Sequence, residues 1–210
     1  MRRKLYLCIY LGLFLLFGCS TYNSALYKTG GKSKGIVLML PVIENFQIKE
    51  KNKVYSWDLK EEFNKEIAKR FNLSNKIYLL KQNVSSKIAE QFFSPDGFYI
   101  SNQVIGQLLP AEFVVATELL DQNELIDDLG NGIITASLRV RVYDLRKDEV
   151  KLIYQEIMDA SQPIITSNIN DYVRYGWKSK VFDSTPMGLM HNRLMRELVG
   201  RVEGYICANY

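Results

Sequence analysis

Histidine occurs once in this chain, at position 191, so imidazole chemistry near neutral pH rests on a single ring. A lone histidine makes neither a metal site nor a Ser-His-Asp set unless partners arrive from elsewhere in the fold, and its place next to Met190, beside the apolar stripe of the last helix, points to a structural or an exposed role rather than a catalytic one. Four acids crowd one short stretch: Asp121, Glu124, Asp127 and Asp128. They lack the alternating spacing and closing glutamate of a calcium loop, so a solvated turn accounts for them better. No metal or cofactor is expected. Gly31-Lys32-Ser33 has the ending of a phosphate loop, but the glycine needed five residues earlier is Leu26, and a strand rather than a helix follows. Carboxylate pairs for glycan cleavage need only spatial proximity, and no signature marks one here. The patch richest in binding chemistry is Tyr172, Arg174, Tyr175 and Trp177, flanked by Lys178 and Lys180. Flat rings beside cationic donors stack on sugars or anchor a protein partner; the same rings can instead pin a long segment to the sheet. Trp57 and Tyr55 read as a staple at a helix start.

Three cysteines set the redox reading. Arg2, Arg3 and Lys4 precede an apolar run, Leu5 to Phe17, of about 20 Å as a helix, short of about 30 Å of bilayer hydrocarbon. That is a signal-peptide length rather than a membrane span. The run ends in Leu16-Phe17-Gly18-Cys19, which resembles the lipobox of bacterial lipoproteins. The resemblance implies cleavage between Gly18 and Cys19, with an S-diacylglyceryl group and an N-acyl chain on Cys19. Two or more chains hold a protein to a membrane where one does not, at about 0.8 kcal/mol per buried CH₂. Ser20 in place of an aspartate favours the outer membrane on the usual sorting pattern. Cys8 leaves with the leader and Cys19 is acylated, so Cys207 has no intramolecular partner. Loss of Arg2, Arg3 and Lys4 also removes three charges from a net of +4. The remainder lacks the dense basic face that nucleic acid requires.

Three parts are expected: a signal peptide over 1–18, a polar, glycine-containing tether over 19–35, and one globular domain over 36–210. Ile36 to Ile43 is a continuous apolar run, a strand buried on both faces, with Pro41 near its end. Leu59, Phe63, Ile67 and Phe71 recur every four residues and predict a helix over 57–71, capped by Ser56. Strands are expected at 77–80 and 113–120, with short helices over 86–93 and 102–109 and turns at Ser94-Pro95-Asp96-Gly97 and over 121–132. From Ile134 to Tyr143 apolar and polar residues alternate, predicting a strand with one packed and one wet face, followed by a turn at 146–149 and a partner over 150–158. The 159–185 stretch is long for a connection. Pro186, behind Ser184 or Thr185 as cap, opens a last helix over 187–206, striped by Met190, Leu194, Leu198, Val202 and Ile206, with Glu203 on its solvated side. The order makes an α/β (α+β) single domain, a mixed sheet of about five strands with helices packed on it.

Ile36-Val37-Leu38-Met39-Leu40-Pro41-Val42-Ile43-Glu44-Asn45, Ala111 to Glu118 and Leu138 to Leu145 resemble a bacterial group. It comprises the curli-secretion lipoprotein, the lipoprotein activators of penicillin-binding proteins and the TolB N-terminal domain. The ending, Trp177 through Phe182-Asp183-Ser184-Thr185-Pro186-Met187-Gly188-Leu189 to Glu203, is similar to a chlamydial lipoprotein family of unknown activity. The resemblance implies a TolB-N-like fold more than a task. The long hairpin insertions of curli-type lipoproteins are not expected, since no strand pair of that length is apparent. The chain is expected to be a non-enzymatic lipoprotein facing the periplasm. It would be tied to the membrane by its lipid and bind an envelope protein partner, with no nucleic acid involved. A glycan-binding or glycan-processing envelope enzyme and an oligomeric subunit of an export apparatus are the alternatives.

Overall fold

The computed structural model describes residues 34–44, 57–93, 100–129, 131–147, 150–164 and 176–210. Gly18, Cys19 and nearly all of the tether lie outside them, as do Tyr55, Ser56, the Ser94–Gly97 turn and Tyr172, Arg174 and Tyr175. By internal contacts the chain divides into Met1–Lys34 and Gly35–Tyr210, and the second unit is described here.

The apolar run at 36–43 is not one strand. Pro41 cannot donate to a ladder, and the run divides into β1 (Ile36–Met39) and β2 (Ile43–Glu44). Helix α1 (Leu59–Ser74) starts two residues later than its periodicity predicts, because the Asp58 carboxylate accepts from the backbone N–H of Lys60 at 2.8 Å. Its stripe of Leu59, Phe63, Ile67 and Phe71 is wholly buried. It ends at Asn75, whose φ of +56° is the left-handed cap that asparagine tolerates. β3 (Tyr78–Leu79), α2 (Ser86–Gln91) and α3 (Asn102–Leu108) lead to β4 (Phe113–Ile126), β5 (Gly132–Asp144) and β6 (Lys151–Ile164). A 3-10 turn at Phe182–Ser184 precedes α4 (Pro186–Asn209).

The six-stranded sheet runs β3-β1-β4-β5-β6, with β2 also on β4. β1 is parallel to β3 and β4, whereas β4, β5 and β6 form an antiparallel meander. The chain leaves β1 towards β3 through α1, then returns past β1 to β4 through α2 and α3. Two crossovers in opposite directions with one handedness must use opposite faces. One core therefore joins α1 and α4 to Val37, Phe113, Val115 and Leu138; a second joins α2 and α3 to Leu38, Leu40, Val114 and Tyr143. All five residues of the α4 stripe are buried.

Further expectations change. The acidic stretch after Leu120 is strand rather than turn: β4 continues to Ile126, after a register shift between Leu119 and Asp121 that resets which side chains face the core. Likewise the first residues of the long 159–185 stretch belong to β6. The meander strands are thus 14, 13 and 14 residues long, a length not apparent from the sequence, and their inner face is packed rather than free. The outer face of β5 is not uniformly wet. Tyr143 is buried, and its hydroxyl and Arg141 Nη1 both donate to the Phe92 carbonyl at 2.7 and 2.6 Å, which clamps the end of α2 onto the sheet. Glu203 is buried rather than solvated: its carboxylate accepts from the Ser74 hydroxyl and lies 3.6 Å from Lys76 Nζ, where α4 crosses the end of α1.

Candidate functional site

A parallel sheet opens a crevice where neighbouring strands send their chains to opposite faces, at the carboxyl ends of those strands. Here that place lies between β1 and β3, because α1 follows β1 on one face and α2 follows β3 on the other. A cleft of 460 Å³ occupies it. Its apolar part is Met39, Pro41, Ala68, Leu79, Leu80 and Val84, and its polar part is Asn64, Asn72, Lys81, Gln82 and Asn83.

Each amide is placed by the fold. Asn64 and Asn72 lie two turns apart on the face of α1 beside the sheet ends. Asn64 Oδ1 accepts from the Val42 backbone N–H at 2.8 Å, which holds the β1–β2 connection against the helix and leaves the amide hydrogens for the cleft. Gln82 Nε2 donates to the Gln107 carbonyl at 2.6 Å and leaves its own oxygen. Amide side chains donate and accept hydrogen bonds but exchange no proton near neutral pH, and the only charged lining residue is Lys81. Four amides and one ammonium thus equip the cleft to hydrogen-bond a polar ligand.

Among the described residues, His191 and Glu62 are used within the core. His191 is fully buried between α1, α4 and β4, with Nδ1 2.6 Å from Glu62 Oε1 and Nε2 3.3 Å from Gln122 Oε1. The other Glu62 oxygen accepts from Trp57 Nε1 at 2.8 Å, and the Trp57 ring meets Phe182 edge-on at 5.5 Å. This hub ties the start of α1, the turn before α4 and strand β4 together in the structural role expected of His191 and Trp57.

Among the described residues no group of three histidine, cysteine or acidic side chains could hold a metal. Asp121 and Glu124 stand on β4, while Asp127 Oδ1 accepts from the backbone N–H groups of Leu129 and Asn131 at 3.0 and 2.8 Å and so caps the hairpin turn. Burial raises the carboxyl pKa of Glu118, against the opposing pull of Arg139 and Arg141. Of the aromatic and basic patch, Trp177 is described: it packs against the α1 side of the core with Lys178 and Lys65 Nζ 5.1 and 5.7 Å from its ring centre. Cys207 is an exposed free thiol on the last turns of α4. No described helix is long and apolar enough to cross a membrane.

The cleft was not singled out from the sequence, since its amides come from two segments whose adjacency appears only when β3 pairs with β1. The half-buried Asn64 contact carries no sequence pattern of its own.

None of the curated proteins matches the chain. Among solved structures it is similar to the hypothetical protein CT253 from Chlamydia trachomatis, at 53% identity over 84% of this chain and 99% of that one, with a TM-score of 0.75. The protein XCC0632 from Xanthomonas campestris, of family DUF330, shares 8% identity over 85% of this chain and 90% of its own, with a TM-score of 0.54, a likeness of fold alone. Lipoprotein GNA1162 from Neisseria meningitidis overlaps 81% of this chain and 99% of its own at 14% identity, with a TM-score of 0.41. The chain belongs to the family of unknown function DUF7499, which it matches over residues 23–210.

Proposed function

We propose that the protein is a lipoprotein of the bacterial cell envelope that is fixed to a membrane through acylated Cys19 and acts without catalysis by binding a protein partner. The observation that carries this reading is the Gly18-Cys19 junction behind a short apolar leader. Cleavage there leaves a polar stretch before the folded unit that begins at Gly35. Confinement to a surface raises the effective concentration of the domain near its partners with no added contact. Ser20 favours the outer membrane, with the domain facing the periplasm. Support for a non-catalytic role comes from His191, Glu62 and Glu203, whose polar atoms are spent on bonds inside the core. The segment containing Tyr172, Arg174, Tyr175 and Trp177 contributes to partner binding.

Fractionation of cells expressing Cys19→Ala tests the reading. The wild-type protein is expected in the membrane fraction and is released only by detergent. An equal share of Cys19→Ala in that fraction, at the same processed size, would contradict it.

The amide-lined cleft favours a second reading, a glycan-binding envelope protein, because side-chain amides pair with neighbouring hydroxyls. Calorimetry with peptidoglycan fragments, comparing wild type with Asn72→Ala and Asn83→Ala, separates the two. Heat that disappears in the variants supports the glycan reading, and none in the wild type removes it.

A further inference from the structure

We infer that the open face of the β4–β5–β6 meander, beyond the cover of α2, is a docking surface for a protein that presents apolar side chains ringed by lysine or arginine. The inference deepens the partner-binding reading and rests on it for the kind of occupant; the surface itself stands on the following observations.

Leu125, Ile133 and Pro163 occupy one row across the three strands, since Ile133 is the register partner of both others. All three are exposed, Leu125 at 66%, and Leu129 at the hairpin tip is 76% exposed. Folding leaves this row uncovered while the opposite face of the same strands, Ile134, Ala136 and Ile164, is sealed in the core. Exposed apolar side chains set side by side mark a binding surface, whereas single ones need no explanation.

Charge identifies the occupant. On the face that carries this row, Asp121 and Asp159 are both register partners of Ser137, and Asp127 and Asp128 stand in the hairpin turn, while Arg139, two residues further along β5, is ion-paired with Glu118. An apolar row bordered by these four acids attracts a cationic partner and repels anionic lipid headgroups.

The test uses the full acylated chain in phosphatidylcholine nanodiscs and fluorescent peptides of about 18 residues, five helical turns, patterned either as leucine and lysine or as leucine and glutamate. The wild-type protein is expected to bind the lysine peptide, with affinity falling as salt is raised. The doubly substituted Leu125→Ser/Leu129→Ser protein is expected to bind it about tenfold more weakly at an unchanged denaturation midpoint. Leu73→Ser, an exposed leucine on α1, is expected to bind as wild type does. Equal binding by the double variant, equal binding of the glutamate peptide, or loss of vesicle binding caused by the double variant alone would overturn the inference. Failure of lipidation would show separately, as unmodified Cys19, and would leave the peptide result standing.

Discussion

Glu62 and His191 are separated by 129 residues in sequence and 2.6 Å in space, and that contact is a fully buried polar fastener between α1 and α4. Removing one member leaves a buried polar group without its partner, which costs more than the bond itself contributes. Glu62→Ala is expected to lower stability by about 2–4 kcal/mol, read from chemical denaturation. A second residue-scale prediction concerns pH. The Arg146 guanidinium, donating to both carboxylate oxygens at 2.9 and 2.7 Å, holds the pKa of Asp144 below its ordinary 3.8. A carboxyl depressed in the folded state stabilises the fold above its unfolded pKa and loses that effect as pH falls through the folded one. Asp144→Asn should therefore be less stable than wild type at neutral pH, with the difference shrinking steadily below about pH 4 in denaturation series. The sequence places His191 beside the stripe, which leaves a structural or an exposed role open, and the fold buries it. The sequence does not name Glu62, because a buried acid is visible only through its partner.

At the scale of elements, the turn into α4 makes the sharpest prediction. Thr185 Oγ1 accepts from the Gly188 N–H at 3.1 Å and donates to the Phe182 carbonyl at 2.7 Å, folding the 3-10 turn back over the helix start. That closeness requires glycine at 188, where an added Cβ would lie 1.9 Å from the Phe182 oxygen. Gly188→Ala is expected to cost about 1–3 kcal/mol or more by overpacking, whereas Gly200→Ala, with open space around it, is expected to be neutral or stabilising. Thermal melts of the two variants compare them directly. Helices were the legible elements: the stripes of α1 and α4 and the Thr185-Pro186 start could be read because period and cap are local. Strand ends were not. Asp121, Asn123 and Asp127 have turn composition, yet the first two sit on the outer face of β4, where the Asn123 amide donates to the Asp121 carboxylate, and the register shift after Leu119 conceals the alternation.

At the scale of the whole molecule, the mixed sheet follows from two crossovers and a meander, and the α/β class was legible from element order alone. Its sites were not, since both are made by adjacency. The cleft exists because β3 pairs with β1, and the apolar row exists because Leu125, Ile133 and Pro163 fall in one register. Both lie towards the ends of β1 and β4 that point away from Gly35. Intact mass of the protein extracted from membranes tests the proposed lipid tie at Cys19 most directly. The account predicts a chain beginning at Cys19 and heavier by a diacylglyceryl group and one further acyl chain. A mass matching the unprocessed chain from Met1, or one beginning at an unmodified Cys19, would contradict it.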